Sequence, residues 1–486
     1  MFREEVVAVW FAQRGRVNGG QRGRGNGMWW QTKAETPAWG AVHGPELPDD
    51  RTVNIVLDLA LRIGDVQMAS GAGAADVTAT MLAVTGAYGL PHCEVDVIFT
   101  SITVACHRGT EMSPVTSLRV VRSRSLDYTR LAHLETFVRD ITAGRVPLQD
   151  AHSELDKIVE ANHPYPRWVA TLAWAGMAAA ITILIGGQAE MALWAALITA
   201  VVDRVGRLLN KRALPFFFQQ VVGGALATGA ALALLAGGVL PSARPTVLVA
   251  AAITVLLSGL SVVATVQDAI SGYNVTAAGR AMEVSLMTAG LIAGVVLALN
   301  IATTLGLPYL PLGDPLPQTA LRLPVQAIAG AAAAGCFALA SYATPKALLI
   351  ASAAGGLGAA GYGALQLGGA GLITASGGAA IAVGFAGGLI ARRLKMPPLI
   401  VAVSGMVPLL PGITTYRALY ELAVAKSTAG LPTLMTAAAI ALALAAGVVL
   451  GEYLAQPVRT GLGRLERKIA GPRMSGPLRP TRRRLE

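Results

Sequence analysis

The sequence predicts an α-helical polytopic membrane protein: about ten transmembrane helices in two inverted five-helix repeats, preceded by a small cytoplasmic α+β domain. Three observations predict it. The apolar excess of the 486-residue chain runs from about Trp168 to about Tyr453 instead of being spread evenly. Inside that region an interrupted apolar run, Leu399 to Leu422, has a weaker copy at Leu256 to Glu283. Lys and Arg also alternate between rich and poor loops, as membrane orientation requires.

Residues 1–51 are rich in Gly, Arg, Asn and Pro and are expected to be disordered; no apolar core of signal-peptide length marks a secretory leader there. Residues 52–166 are expected to form the α+β domain. Helical spacing runs over Ile55–Ala69 and Ala74–Tyr88, a β-branched strand over Glu94–His107, a second strand over Val115–Val121, and helices over Asp127–Ala143 and Leu148–Ala161. Its acids Asp58, Asp65, Asp76, Glu94 and Asp96 are either a site or ordinary solvated helix faces. Arg167 and Trp168 then mark an interfacial entry to the membrane.

About 20 apolar residues cross a bilayer. That ruler gives spans at roughly 168–186, 189–206, 214–239, 245–266, 281–304, 323–343, 346–366, 370–391, 398–422 and 430–454. The first five make a half at 167–306, the last five a half at 323–456; a Pro-rich linker (307–322) separates them and a basic tail (457–486) follows. With the α+β domain inside, inner loops carry Arg204, Arg207, Lys211, Arg212, Arg280, Lys346, Arg392, Arg393 and Lys395; outer loops hold only Arg244, Arg322 and Lys426. Both termini are then cytoplasmic, in the cytoplasmic (inner) membrane. Halves with an odd number of spans run in opposite directions, and a solute site is expected between them near mid-bilayer.

The broken runs carry the chemistry. Pro408 and Pro411-Gly412 break or kink a helix, and freed peptide groups survive in hydrocarbon only beside protein or a wet cavity. The bland alternative is a kinked packing helix. Ser258-Gly259 stands in the first copy as Ser404-Gly405 does in the second. Helix ends exposed there would attract an anionic group. Hydroxyls of Ser404, Thr414 and Thr415 are placed to bond a polar solute. Carboxylates in or beside spans are candidates for proton coupling: Asp268 and Glu283, then Asp203 beside Arg204, and Glu421 at i, i+4 from Arg417. Arg280 and Glu283, at i, i+3, read as a structural pair or a gate. Each also reads as an interfacial charge or half of an ion pair fixing a helix end, Asp203 above all.

Composition excludes other classes. The net charge of +11 sits in loops and tails beside apolar spans and aromatics are 5%, which argues against nucleic acid. Cys93, Cys106 and Cys336 show no CxxC spacing, so neither a disulfide framework nor a metal site is expected. Gly356-x-Gly358-x-x-Gly361 lies inside an apolar span without a preceding strand and is no dinucleotide fingerprint. No cofactor and no enzyme motif is found. Gly290-xxx-Gly294 and Gly384-xxx-Gly388 permit close helix contact.

Four stretches, LDLALRIGDVQMASGAGAADVTATM, CEVDVIFTSI, VQDAISGYNVTAAGRAMEV and PPLIVAVSGMVPLLPGITTYRALYEL, together with the layout, resemble the bacterial threonine/serine exporter family over about residues 55–455. The long Gly/Arg amino terminus departs from it. The resemblance implies proton-motive-force-dependent export of L-threonine and L-serine, with substrate, protons and lipid as partners. Similar halves occur as separate chains linked to dicarboxylate export, so small dicarboxylates are the alternative substrate on this scaffold. A membrane-anchored enzyme and a channel are the competing classes, and the chain is a monomer or a homo-oligomer.

Overall fold

The computed structural model describes residues 49–469 except 91, 108–112, 123–125, 240–244, 257–258, 307–316, 395 and 424–426, without the side chains of 245–246, 259–260, 391–393, 423 and 456–469. Ser258, Arg244, Lys395, Lys426, most of the linker, the chain before 49 and that after 469 lie outside the described residues.

Helices α1 (Asp50–Ala69) and α2 (Ala74–Ala87) open the fold. Asp49 caps α1 by accepting from the Thr52 amide, satisfying one of the donors that every helix start leaves free. Val53, Val56, Leu57, Ala60, Leu61 and Gly64, at helical spacing, bury one face of α1. Three antiparallel strands follow, β1 (Cys93–Ile98), β2 (Ser101–Cys106) and β3 (Val115–Val120), in the order β1-β2-β3. Helices α3 (Tyr128–Thr142) and α4 (Leu148–Glu160) close the unit.

One expectation is corrected here. Glu94–His107 is not a single strand but a hairpin, with Cys93 opposite Cys106 and Ile98 opposite Ser101. Its tip places Phe99 at φ 53, a left-handed conformation that a bulky residue seldom adopts. A contact far along the chain holds it: the Phe99 amide donates to Thr276 Oγ1 at 3.0 Å.

The rest is helical: α5 (Arg167–Leu184), α6 (Ala189–Lys211), α7 (Phe216–Ala236), α8 (Pro245–Leu256), α9 (Gly259–Ile270), α10 (Asn274–Thr304), α11 (Leu323–Ala340), α12 (Pro345–Leu367), α13 (Leu372–Leu394), α14 (Pro398–Met406), α15 (Gly412–Ala423) and α16 (Gly430–Ile469). α16 continues past 456, its Arg, Leu, Glu and Lys residues being good helix formers. Among the described residues, seven helices are long and apolar enough to cross a membrane, and nine if each of two bent pairs, α8 with α9 and α14 with α15, is one span. Large apolar side chains such as Leu172, Ile328, Leu349, Leu357 and Met435 are exposed on these helices, as a lipid-facing surface requires. The protein is a multi-pass membrane protein.

Candidate functional site

Both broken runs are bent in the structure. α8 and α9 are inclined by 52° across 257–258, and α14 and α15 by 46° across a single 3-10 turn, Val407–Leu409, and Leu410-Pro411. Pro408 lies in that turn and Pro411 immediately precedes α15. Proline at these places removes the donors that would carry one helix through. The break is narrower than the sequence suggests: α14 runs through Ser404 and Gly405, so their peptide groups lie inside a helix and only Gly412 begins a new one. Gly259 likewise begins α9.

The two bends touch. A Cβ on Gly412 would overlap Thr254 Oγ1 and come within 2.9 Å of the Ala250 carbonyl, so only glycine lets α15 cross α8 this closely. Thr254 returns its own hydroxyl to the Ala250 carbonyl at 2.7 Å. Gly405 is as tightly seated, against Val383 and Ala354. Ser404 is fully buried and its Oγ has no hydrogen-bond partner among the described residues other than the Tyr128 hydroxyl beside it; Thr415 is buried and bonds back to the Pro411 carbonyl at 2.7 Å, while Thr414 is half-buried.

A chamber of about 230 Å³ lies beside this crossing. Trp174 and Met177 of α5, Val255 and Leu256 of α8, Phe337 of α11 and Val403, Met406, Val407 and Leu410 wall it, so both halves of the chain contribute; Gln220 is the one amide side chain in the lining. A larger cavity of about 520 Å³ adjoins it, sharing Trp174, Phe216, Gln220 and Leu256 and adding Thr199, Asp203, Arg207 and Asn210 of α6. Leu126, the residue before the Asp127 N-cap of α3, lines both.

The charged candidates fall into three places. Asp268 and Arg280 form a buried ion pair at 3.0 Å, 0% and 5% exposed in their side chains, under the α1–α2 loop. Asp268 Oδ1 accepts from the Ala74 amide at 2.7 Å and Arg280 Nη2 donates to the Ala72 carbonyl at 3.1 Å. Arg280 is therefore tied to Asp268, an acid the sequence did not single out for it; Glu283 is half-buried one turn further along α10. Asp203 pairs with Arg207 on α6, and Arg207 also bonds the Thr171 hydroxyl of α5. Arg417 and Glu421 form the expected i, i+4 pair at 3.7 Å, and Glu421 accepts from the Thr433 hydroxyl at 2.7 Å.

The α+β unit grips the helical region at two turns. At the α9–α10 turn, Thr276 accepts from the Phe99 amide and donates to the Val97 carbonyl, Tyr273 bonds Thr78, and Gln267 bonds Asp76. At the α11–α12 turn, the Tyr128 amide donates to the Ser341 carbonyl at 2.9 Å and His163 stacks on Tyr342, its ring centred 4.3 Å away. Both turns thus lie on one face of the molecule. Of the acids singled out in this unit, Asp65 and Asp58 both approach Arg119, at 2.7 and 4.0 Å, Glu94 lies 3.9 Å from His107 and Asp76 accepts from Gln267, so they are divided among separate partners. Among the described residues no cluster of His, Cys, Asp or Glu has the makings of a metal site.

Sequence reasoning missed Gln220, Arg207 as a cavity residue, Thr199, Thr254 and Tyr128. Gln219-Gln220 inside an apolar run was a usable signal, since amides are costly in a span. Lone threonines are not, because most bond back to their own helix.

Residues 58–302 match the family model described as "Putative threonine/serine exporter", and residues 326–454 match a second, "Threonine/Serine exporter, ThrE". The chain is 41% identical over 432 residues to a "Probable threonine/serine exporter" of Mycobacterium tuberculosis, covering 87% of this chain and 81% of that protein. It is 36% identical over 420 residues to the "Threonine/serine exporter" of Corynebacterium glutamicum, covering 85% of each. No solved structure matches it. Two family models in tandem across the two broken runs, and two relatives along most of the length, lead to one conclusion: this chain belongs to the threonine/serine exporter family, and is a transporter and not an enzyme.

Proposed function

We propose that the chain is a secondary active exporter of small hydrophilic amino acids, L-threonine and L-serine, driven by the proton-motive force across the cytoplasmic membrane. The observation that carries this reading is the contact of the two bent spans at Gly412 and Thr254, beside a chamber walled by both halves. At about 230 Å³ the chamber is below the roughly 300–1,000 Å³ of drug-sized pockets and suits a solute of a few heavy atoms.

The membrane region has ten spans in this reading, α6 being the tenth. Its charges gather at its ends, Glu190 at one and Asp203, Arg204, Arg207 and Lys211 at the other, with an apolar stretch between. Two inverted halves are supported by a repeated contact. In the first, Gly290 and Gly294 of α10 lie against the Phe217 and Val221 carbonyls of α7; in the second, Gly447 and Gly451 of α16 lie against the Gly377 and Ile381 carbonyls of α13. The third and fifth spans of each half thus meet through a Gly-xxx-Gly on the fifth. Gly384 and Gly388 sit on the α13 side of that second contact. The α+β domain, residues 52–166, faces the cytoplasm with both termini.

In the transport step the first turn of α15, Gly412 to Thr415, and the Ser404 hydroxyl meet the substrate after the chamber opens, helix N-termini being favourable for a carboxylate. Gly259 at the start of α9 takes the matching place in the first half, and Pro408 and Pro411 hold the bend. Asp268 and Glu283 are the coupling carboxylates, Arg280 and the Arg417–Glu421 pair the gating charges. The test is efflux from proteoliposomes under an imposed pH gradient, with a panel of amino acids and succinate. Threonine and serine should leave against their gradients and succinate should not. Efflux of succinate alone, or flux indifferent to the pH gradient, would sink the reading.

A further inference from the structure

We infer that the cavity between α6 and α7 is an entry site that holds an α-amino acid by both its charges, Asp203 taking the ammonium and Arg207 the carboxylate, before the solute reaches the inner chamber; this rests on the exporter reading. The inner chamber is nearly all apolar, and a zwitterion placed there with its charges unpaired would bear a prohibitive desolvation cost. The adjoining cavity of about 520 Å³ carries the charges that the chamber lacks. Asp203 and Arg207, one helical turn apart on α6, present opposite charges on one face.

The guanidinium is already held in place. It bonds Asp203 Oδ2 and the Thr171 hydroxyl through Nη2 and the Asp203 carbonyl through Nε at 3.4 Å, while Nη1 and Asp203 Oδ1 make no hydrogen bond among the described residues. An Arg fork fixed on one side is pre-organised to take a carboxylate on the other. Two further groups point to a ligand. Thr199 and Gln220 are 3% and 7% exposed, line this cavity, and leave Thr199 Oγ1 and Gln220 Oε1 without a partner among the described residues. A buried acceptor left unmade is costly, and a ligand hydroxyl donating to Gln220 would satisfy it. The ligand class is therefore a small hydroxy-α-amino acid. Gln220 also lines the inner chamber, which places it at the passage between the two. Leu126 puts the cavity on the side that bears the α+β unit, the side from which an exporter loads.

The experiment measures binding of radiolabelled L-threonine to the full chain in nanodiscs, in competition with L-threonine methyl ester, which lacks the carboxylate, and with 2,3-dihydroxybutanoate, which lacks the ammonium. Wild type should prefer threonine to either by about tenfold or more, the loss expected when one charge-assisted bond goes. Arg207→Gln should lose the preference over the ester and keep that over the hydroxy acid; Asp203→Asn should do the reverse. Unchanged preferences in both variants would overturn the site. Should either variant fail to fold, Asn210→Cys in the wild-type background decides: saturating threonine, but not the ester, should slow its maleimide labelling severalfold, and no protection overturns the inference. Proteoliposomes in which the wild type moves neither threonine nor serine would end the exporter reading, while the labelling result still settles whether the cavity binds the zwitterion.

Discussion

Asp268 and Arg280 pair inside the protein, and each also holds the backbone of the α1–α2 loop, Asp268 through the Ala74 amide and Arg280 through the Ala72 carbonyl. One ion pair therefore joins three things: the end of the first bent span, the start of α10, and the α+β unit above them. A proton carrier and a latch between domains both want a buried carboxylate in this place, and they respond differently to substitution.

Breaking a buried pair from one side takes away charge compensation that the interior cannot replace with water, and so destabilises the fold. Asp268→Asn should abolish pH-driven threonine efflux and raise protease sensitivity in the α1–α2 loop. The double variant Asp268→Leu, Arg280→Met removes both charges and, as with other buried pairs, should recover stability. If efflux returns with it, Asp268 is a latch; if the protein is stable but efflux stays absent, Asp268 carries the coupling. Wild-type efflux from Asp268→Asn alone removes it from the mechanism.

At the crossing of the bent spans, Gly412→Ala forces α15 away from α8, because the new methyl meets Thr254 Oγ1 and the Ala250 carbonyl. Overpacking of this kind costs about 1–3 kcal/mol, here concentrated at the bend. The variant should insert in the membrane and lose at least tenfold in efflux. Adding Thr254→Ala removes the worst overlap but leaves the carbonyl, so partial recovery is expected. Full activity of Gly412→Ala by itself would show that the closeness of the crossing does not matter.

How much of this was legible depends on where the information sits. Apolar run length located the helices, and proline chemistry located the bend at Pro411, because both act locally. The hairpin at Phe99 was not legible: no Gly or Asn marks it, and its backbone is held by Thr276 in a distant helix. The Asp268–Arg280 pair escaped for the same reason. Arg280 has a nearer acid in sequence, Glu283, and nothing local says that the chain turns at 271–273 to bring Asp268 beside it. Ser404 was found from its neighbours, but Gln220, which lines the chamber, and Thr199, which lines the adjoining cavity, lie on helices whose packing no periodicity specifies.

Cys93 and Cys106 face each other across β1 and β2, both buried and unbridged. Burial, then the Cys106 thiol beside it, pushes the Cys93 thiol up to about 12. A raised thiol is protonated throughout the physiological range, so at pH 8 almost none of Cys93 is the reactive thiolate. Folded protein at pH 8 should therefore leave Cys93 unalkylated by iodoacetamide over an hour, and denaturation should expose it to complete reaction. Rapid modification in the folded protein would mean that the hairpin opens.

The Ser404 hydroxyl decides whether the buried polar groups around the chamber serve the substrate or are leftovers of packing. Ser404 is 0% exposed and Tyr128, whose hydroxyl lies beside it, 1%; the two buried hydroxyls have no hydrogen-bond partner among the described residues but each other. A pair satisfied only by each other contributes about 1 kcal/mol net, so removing one hydroxyl should change stability little. Ser404→Ala and Tyr128→Phe are thus expected to melt within a few degrees of wild type. If Ser404 takes the substrate's own hydroxyl once the bend opens, the preference for threonine over 2-aminobutyrate should fall about tenfold in Ser404→Ala, because a site built to bond a hydroxyl discriminates by what the wrong ligand leaves unpaired. Unchanged preference in a stable Ser404→Ala would move recognition of the substrate hydroxyl away from α14. The cavity by Thr199 and Gln220 would then be where the hydroxyl is read.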